Sequence, residues 1–386
     1  MGSTRTADAR DMNERQERAE DGGATGGTRR HRRRKSTRGK RRVRERKTVR
    51  RWLIGAGAAV LCLGLTAAVV AALGIGRLNG NLHTVDIESE LGKNRPRGGD
   101  QGALNILVLG SDSRAGANGA WGRDEGGSRS DTAMILHLDA GRKAARIVSI
   151  PRDTLVRRPD AGACAAAPAS RRIMFNAALS AGGPPCAVAA AEQLSGLRMD
   201  HFVEVDFRGF VSLVDALGGV DLTTRRAIRD PYSRLDLPAG RHRLDGRQAL
   251  ALVRTRHGVG DGSDLGRINL QQAFLKALTR SVRDSGELDS PVGAYRIADI
   301  VTKSLTTDTA LGSVRALKNL ADQVKGIDEK HLTALTLPVR PDDADPDRVV
   351  PVEAEADALW SALRRDRPLP PSLTRRRPGP GAGIVQ

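Results

Sequence analysis

The chain has 386 residues, 39% of them hydrophobic but only 3% aromatic, and a formal net charge of +18. That length holds one large domain or two small ones, and the scarcity of aromatic rings argues against modules that stack nucleic-acid bases on aromatic platforms. The charge is lopsided: residues 1–51 carry 19 Lys/Arg against 7 Asp/Glu, so most of the excess belongs to one tail and not to a basic domain.

Residues 1–51 are polar, charged and rich in Gly and Arg, a composition that predicts disorder. The 25 residues from Trp52 to Gly76 contain neither a charge nor a proline. As a helix they would reach about 37 Å, against a hydrocarbon thickness of about 30 Å. Arg29 to Arg51 hold 15 Lys/Arg and one acid, Glu45. The positive-inside rule therefore predicts a cytoplasmic tail over 1–51, a transmembrane helix over 52–76 and an extracytoplasmic remainder. A cleaved signal peptide would have a much shorter basic and apolar region. Residues 77–102 read as a linker, because Asn94-Arg95-Pro96-Arg97-Gly98-Gly99 is a run of turn-formers.

Order is expected from Leu104. Leu104 to Gly110, Ala133 to Asp139 and Ala145 to Ile150 are short apolar strands, the last two joined tightly enough for a hairpin. Asn176 to Ala181 and Cys186 to Leu194 look helical, and His201 to Asp206 alternates as a strand. Phe207, Phe210, Val211, Val214 and Leu217 fall at helical spacing, Gly218-Gly219 ends that helix, and a strand resumes at Val220. Helices are predicted at Arg247 to Arg254, Leu265 to Val282, 291–303, 311–325 and 353–364, with a strand at His331 to Leu337. The Pro/Arg-rich end, 368–386, reads as a disordered tail. Mixed strands and helices predict a layered α/β/α domain over 103–367: a central mixed sheet flanked by helices, preceded by one transmembrane helix. An oxidising exterior permits a disulfide between Cys164 and Cys186, the alternative being two separate thiols.

Charged residues gather where strands end. Asp112 and Arg114 follow the first strand, Arg129-Ser130-Asp131-Thr132 enters the second, and Pro151-Arg152-Asp153 follows the third. Farther on, Arg254 and Arg256 precede Asp264, Arg267 and Gln271, the last two sharing a helix face. Arginine presents a planar fork of donors that burial does not neutralise, which suits a phosphate or pyrophosphate. Aspartates among arginines suit Mg²⁺ held partly by substrate phosphates. The bland reading of each residue is a surface ion pair. Phosphate loops of the Walker type, serine elbows and His-Glu-x-x-His zinc motifs are all missing from the sequence. His137, inside a strand, reads as packed, and His257 as a loop histidine.

With those residues placed, the chain resembles the LytR-CpsA-Psr family from about Asn105 to Leu278, with a weaker tail. The matching segments include Asn-Ile-Leu-Val-Leu-Gly-Ser-Asp-Ser-Arg (105–114), Arg-Ser-Asp-Thr (129–132), Ser-Ile-Pro-Arg-Asp (149–153), Arg-Thr-Arg-His (254–257) and Asp-Leu-Gly-Arg-Ile-Asn-Leu-Gln-Gln (264–272). The resemblance implies a phosphotransferase that moves a glycopolymer, of teichoic-acid or similar type, from a polyprenyl-pyrophosphate carrier to a peptidoglycan hydroxyl. It implies Mg²⁺ (or Mn²⁺) at Asp112 and Asp131. It implies pyrophosphate contacts from Arg129, Arg152, Arg254, Arg256 and Arg267, with Asp264 and Gln271 lining the site and an apolar tunnel for the lipid tail. Catalysis is expected of Asp131, Arg152, Arg254 and Arg256. The partners implied are the lipid-linked polymer, peptidoglycan and the membrane, with no specific nucleic acid. Rival readings are a membrane-anchored regulator or nucleic-acid-binding attenuator, and a lipid-pyrophosphate hydrolase or binder without transfer. The chain departs from the family pattern at Met174, where the family often has a lysine two residues before the asparagine matching Asn176; Arg171 and Arg172 stand nearby.

Overall fold

The computed structural model describes residues 62–93, 95–98, 102–111, 130–159, 162–164, 172–255, 258–259, 264–327, 329–374 and 385. Two compact units divide the chain, residues 1–67 and 68–386. The first described helix, α1 (Cys62–Asn81), is long and apolar enough to cross a membrane. It continues past Gly76, where the apolar composition ends, through Arg77 to Asn81.

The second unit is built on a seven-stranded sheet. Its strands are β1 (His83–Val85), β2 (Leu104–Ser111), β3 (Ser130–Leu138), β4 (Ala145–Ile150), β5 (His201–Asp206), β6 (Leu305–Asp308) and β7 (Leu332–Thr336). They lie in the order β1-β6-β5-β2-β3-β4-β7. β3 and β4 form the expected hairpin, and β2 pairs antiparallel with β3 to extend it into a meander, whereas β2/β5, β4/β7 and β1/β6 pair in parallel. The sheet is therefore mixed, as expected from the succession of strands and helices along the chain.

The main helices are α2 (Phe175–Ser195), α3 (Phe207–Ala216), α4 (Gly246–Arg254), α5 (Asp264–Asp284), α6 (Pro291–Ser304), α7 (Val314–Lys325) and α8 (Glu353–Arg364). Period-two alternation sends successive strand residues to opposite faces. Leu107, Leu109, Ala133, Ile135, Val148 and Ile150 pack with Val188 of α2 and with Leu359 and Trp360 of α8. Leu136, Leu138 and Ala145 pack on the other side with Leu320 and Val324 of α7. A separate core joins α3, α4 and α5 to the hairpins Val220–Thr224/Gly240–Leu244 and Ile228–Asp230/Leu235–Leu237, through Val214, Leu252, Leu270 and Phe274 among others. The strand at Val220 is the one the sequence predicted; Ile228–Asp230, Leu235–Leu237 and Gly240–Leu244 are too short or too polar to stand out. α2 is one helix interrupted at Gly182 and Gly183, which explains the two separate helical stretches in the sequence. Cys164 and Cys186 are joined by a disulfide that ties the residue 162–164 turn to α2.

Two boundaries need correction. Residues 77–102 are not a plain linker. β1 forms the sheet edge, and a short helix, Ile87–Leu91, follows with Asp86 as its cap and Ile87 buried. Arg95, within the turn-forming run, buries its side chain and donates to Glu192, with Nη2 2.7 Å from its carboxylate and 2.7 Å from the Met199 carbonyl. Such a tertiary ion pair is invisible to local composition. The 368–386 tail is likewise not wholly disordered. Residues 371–374 form a helical turn with Leu373 buried, and Val385 bridges to Thr224.

Candidate functional site

Four strand ends meet at one end of the sheet. Ser111, the last residue of β2, lies beside Ser130 at the start of β3 and Asp206 at the end of β5, after a register shift between Gly110 and Ser111. Next to β3, Ile150 ends β4 opposite Ala133, so Pro151-Arg152-Asp153 leaves the sheet at this same end. The sequence expected charged residues to converge here because strand ends are where α/β sheets present ligand groups.

Helices α4 and α5 close on this end through one amide. Gln271 Nε2 donates to Thr132 Oγ1 at 2.9 Å and to the Val253 carbonyl at 2.9 Å. Thr132 is the neighbour of Asp131, and Val253 the neighbour of Arg254. One side chain thus ties the start of β3 to the end of α4. Gln272 donates to Ser149 Oγ at 3.1 Å and ties α5 to β4 just before Arg152. Arg267, one turn before Gln271 on the same helix face, is only 3% exposed. Arg254 lies over the Phe207 ring, 4.8 Å from guanidinium carbon to ring centre, an attraction of roughly 0.5–2 kcal/mol that holds its charge at the end of β5. Arg152 is half-buried and lies 3.4 Å from Asp153, which also faces Arg348 at 3.7 Å.

The structure therefore brings Gln271 to the start of β3 and Arg254 to the end of β5, keeps Arg267 buried one turn before Gln271, and puts Arg152 at the neighbouring end of β4. Asp131 lies in β3 and Asp264 opens α5, while their side chains, and all of Asp112, Arg129, Arg256 and His257, lie outside the described residues. Of the two arginines near Met174, Arg171 also lies outside them. Arg172 is turned to Asp342 at 2.9 Å with half its side chain exposed. His137 is fully buried between Asn105 Oδ1 at 2.8 Å and Asp366 Oδ1 at 3.2 Å, a packing role.

Two contributors, Phe207 and Glu204, were not singled out by the sequence, and Thr132 was named only as part of the Arg129–Thr132 segment. The signal for Glu204 was an acid two residues before Asp206 on a strand whose interior is otherwise Phe and Val, which puts both acids on one face. Burial pushes the Glu204 carboxyl up, a hydrogen bond with Ser111 opposes this, and the nearby Asp206 adds to the rise. Among the described residues no group of three or more His, Cys, Asp or Glu side chains is arranged to hold a metal. The donors at this strand end, Ser111, Glu204 and Asp206, are oxygens, a set that fits a hard cation such as Mg²⁺ better than a soft one.

The fold and these strand-end residues define an α/β protein with a cationic, oxygen-rich site at one end of a mixed sheet. The sequence model of the LytR_cpsA_psr family matches residues 75–365, and the chain belongs to that family. It is 32% identical over 265 residues to the cell wall biosynthesis protein LcpA of Corynebacterium glutamicum, covering 62% of this chain and 50% of LcpA. The chain thus spans about half the length of that relative. It is 28% identical over 308 residues to the polyisoprenyl-teichoic acid–peptidoglycan teichoic acid transferase TagT of Bacillus subtilis, covering 77% of this chain and 89% of TagT. The solved LytR-Csp2A-Psr enzyme from Actinomyces oris shares the fold, with a TM-score of 0.54 at 23% identity over 73% of this chain and 95% of that one.

Proposed function

We propose that this protein is a glycopolymer transferase of the cell wall. It moves a polymer from a polyprenyl-pyrophosphate carrier to a hydroxyl of peptidoglycan, with Mg²⁺ as cofactor. The observation that carries this reading is the Gln271 bridge, which ties α5, the helix of Arg267, to Thr132 at the start of β3 and to the Val253 carbonyl beside Arg254. Support comes from the family match and from the names of LcpA and TagT.

In the proposed reaction the hydroxyl oxygen bonds to the phosphorus next to the polymer. The anhydride bond to the second phosphorus breaks, and polyprenyl phosphate leaves. The hydroxyl proton passes to a carboxylate among Asp131, Asp153 and Asp264. Arg152, Arg254, Arg256 and Arg267, with Arg129, hold the pyrophosphate and stabilise the charge that grows on its oxygens, the main lever in phosphoryl transfer. Mg²⁺, bound through Asp112 and Asp131, would supply further charge neutralisation at those oxygens. The lipid tail would run into the apolar layer between sheet and helices. α1 anchors the protein in the membrane, residues 1–51 facing the cytoplasm and the catalytic domain outside.

The test is incubation of the full chain in lipid nanodiscs with a synthetic lipid-pyrophosphate sugar, Mg²⁺ and a peptidoglycan oligomer, read by mass spectrometry. Sugar phosphate should appear on the acceptor, and chelation should stop it. Arg152→Ala should lower transfer by at least roughly 100-fold, the scale of losing one transition-state donor, with an unchanged melting curve. Release of sugar phosphate without acceptor product would make the protein a hydrolase instead.

A further inference from the structure

The start of α6 presents an apolar patch. Val292 is 81% exposed, Leu288 in the turn before it 52%, and Tyr295 one helical turn further on 41%. Its neighbour is the outer part of α1. Asn81 Nδ2 of α1 donates to Asp299 Oδ1 at 3.0 Å and to Thr302 Oγ1 at 3.2 Å. Seven residues earlier, Gly74 lies so close to Tyr295 that a Cβ there would sit 3.2 Å from the ring. Between them Leu78 is buried, while Val69, Val70, Leu73 and Ile75 are exposed.

These contacts fix direction as well as proximity. Gly74 pairs with Tyr295 and Asn81 with Thr302, so α1 and α6 run side by side and point the same way. Moving toward the start of α6 is therefore moving down α1 into its uncharged stretch. Gly74 already belongs to that stretch, and Val292 lies about 4.5 Å farther down, three residues at 1.5 Å each.

We infer that Leu288, Val292 and Tyr295 dip into the outer leaflet at the boundary of headgroups and acyl chains, as a second lipid contact of the exterior domain. This inference rests on the reading of α1 as a membrane span. An aromatic ring with a polar tip suits that depth, and the two apolar neighbours supply the area that drives insertion. Glu287, the acid beside Leu288, is paired with Arg296 at 2.5 Å, which lowers the cost of bringing it to the headgroups. The contact reaches the candidate site through one helix. α3 packs directly on α6, where a Cβ on Gly209 would collide with Ser304, and α3 begins with Phe207, over which Arg254 lies.

The experiment uses the full chain with Cys62→Ala, in nanodiscs of phosphatidylethanolamine and phosphatidylglycerol, the Cys164–Cys186 bridge being left intact. Single cysteines are placed at Val292→Cys, at Val69→Cys inside the span, and at Lys330→Cys, an exposed position beside the opposite sheet edge. A charged, membrane-impermeant maleimide should label position 292 roughly tenfold more slowly than position 330, since burial both blocks access and disfavours the thiolate. A dye at 292 should be quenched by brominated acyl chains. Equal labelling at 292 and 330, with 69 protected, overturns the patch but spares the span. Fast labelling at 69 overturns the span and the patch with it. Slow labelling at 292 without quenching by brominated lipid means a protein cover and also overturns the inference.

Discussion

Glu204 shows how a single residue trades stability for the chemistry of a strand end. Its carboxyl is held above the ordinary value of 4.5, chiefly by burial. A raised folded pKa means that the native state holds the proton more tightly than the unfolded chain. The stability this confers is complete below about 4.5 and is lost as pH rises through the folded value. Glu204→Gln, which has no proton to lose, should therefore match the wild type near that lower limit and become progressively more stable above it. Urea titrations of the metal-free protein across pH would show a widening gap in midpoint; parallel curves would refute it. Gln271 illustrates the complementary case, in which one amide sets the relation of two helices to a strand. Its spacing from Arg267 is legible in sequence, but its acceptors, Thr132 and the Val253 carbonyl, are not, because they lie 139 and 18 residues away.

Two elements are pinned by contacts far from them in sequence. Arg95 and Glu192 are both almost fully buried. Removing one partner of such a pair leaves an uncompensated charge, so Arg95→Ala should cost about 3–5 kcal/mol, measured by chemical denaturation. Replacing both residues with apolar side chains should recover much of that loss. The Cys164–Cys186 bridge closes a separation of 22 residues. Cys164→Ser with Cys186→Ser should lower stability by about 3 kcal/mol, the scale of the chain entropy restored to the unfolded state. The loss should vanish when both proteins are compared in reductant.

At the scale of the whole molecule, the folded unit begins earlier than its composition suggests. A chain starting at Leu82 keeps β1 and the Arg95 clamp, whereas one starting at Leu104 loses both. The shorter chain should melt at least about 6 °C lower, taking the clamp alone at about 3 kcal/mol and about 2 °C for each kcal/mol at this size. Equal melting temperatures would return residues 77–102 to the status of a linker. The net charge of +18 also has to be read at this scale, since most of it lies in residues 1–51 and not in the domain that carries the site.

Sequence by itself determined the uncharged helix, the strands β2, β3 and β4 with the β3–β4 hairpin, and the α5 amphipathic helix, and it singled out arginines and aspartates near strand ends. Each of these is local: a run length, a period or a spacing that the backbone geometry enforces within a few turns. Tertiary structure alone decided the strand order, the role of residues 83–91 as sheet edge and helix, and the placing of Arg254 over Phe207. It also decided the parallel course of α1 and α6. Those features depend on which distant surfaces bury one another, and a hydrogen bond or ion pair across a hundred residues leaves no trace in composition.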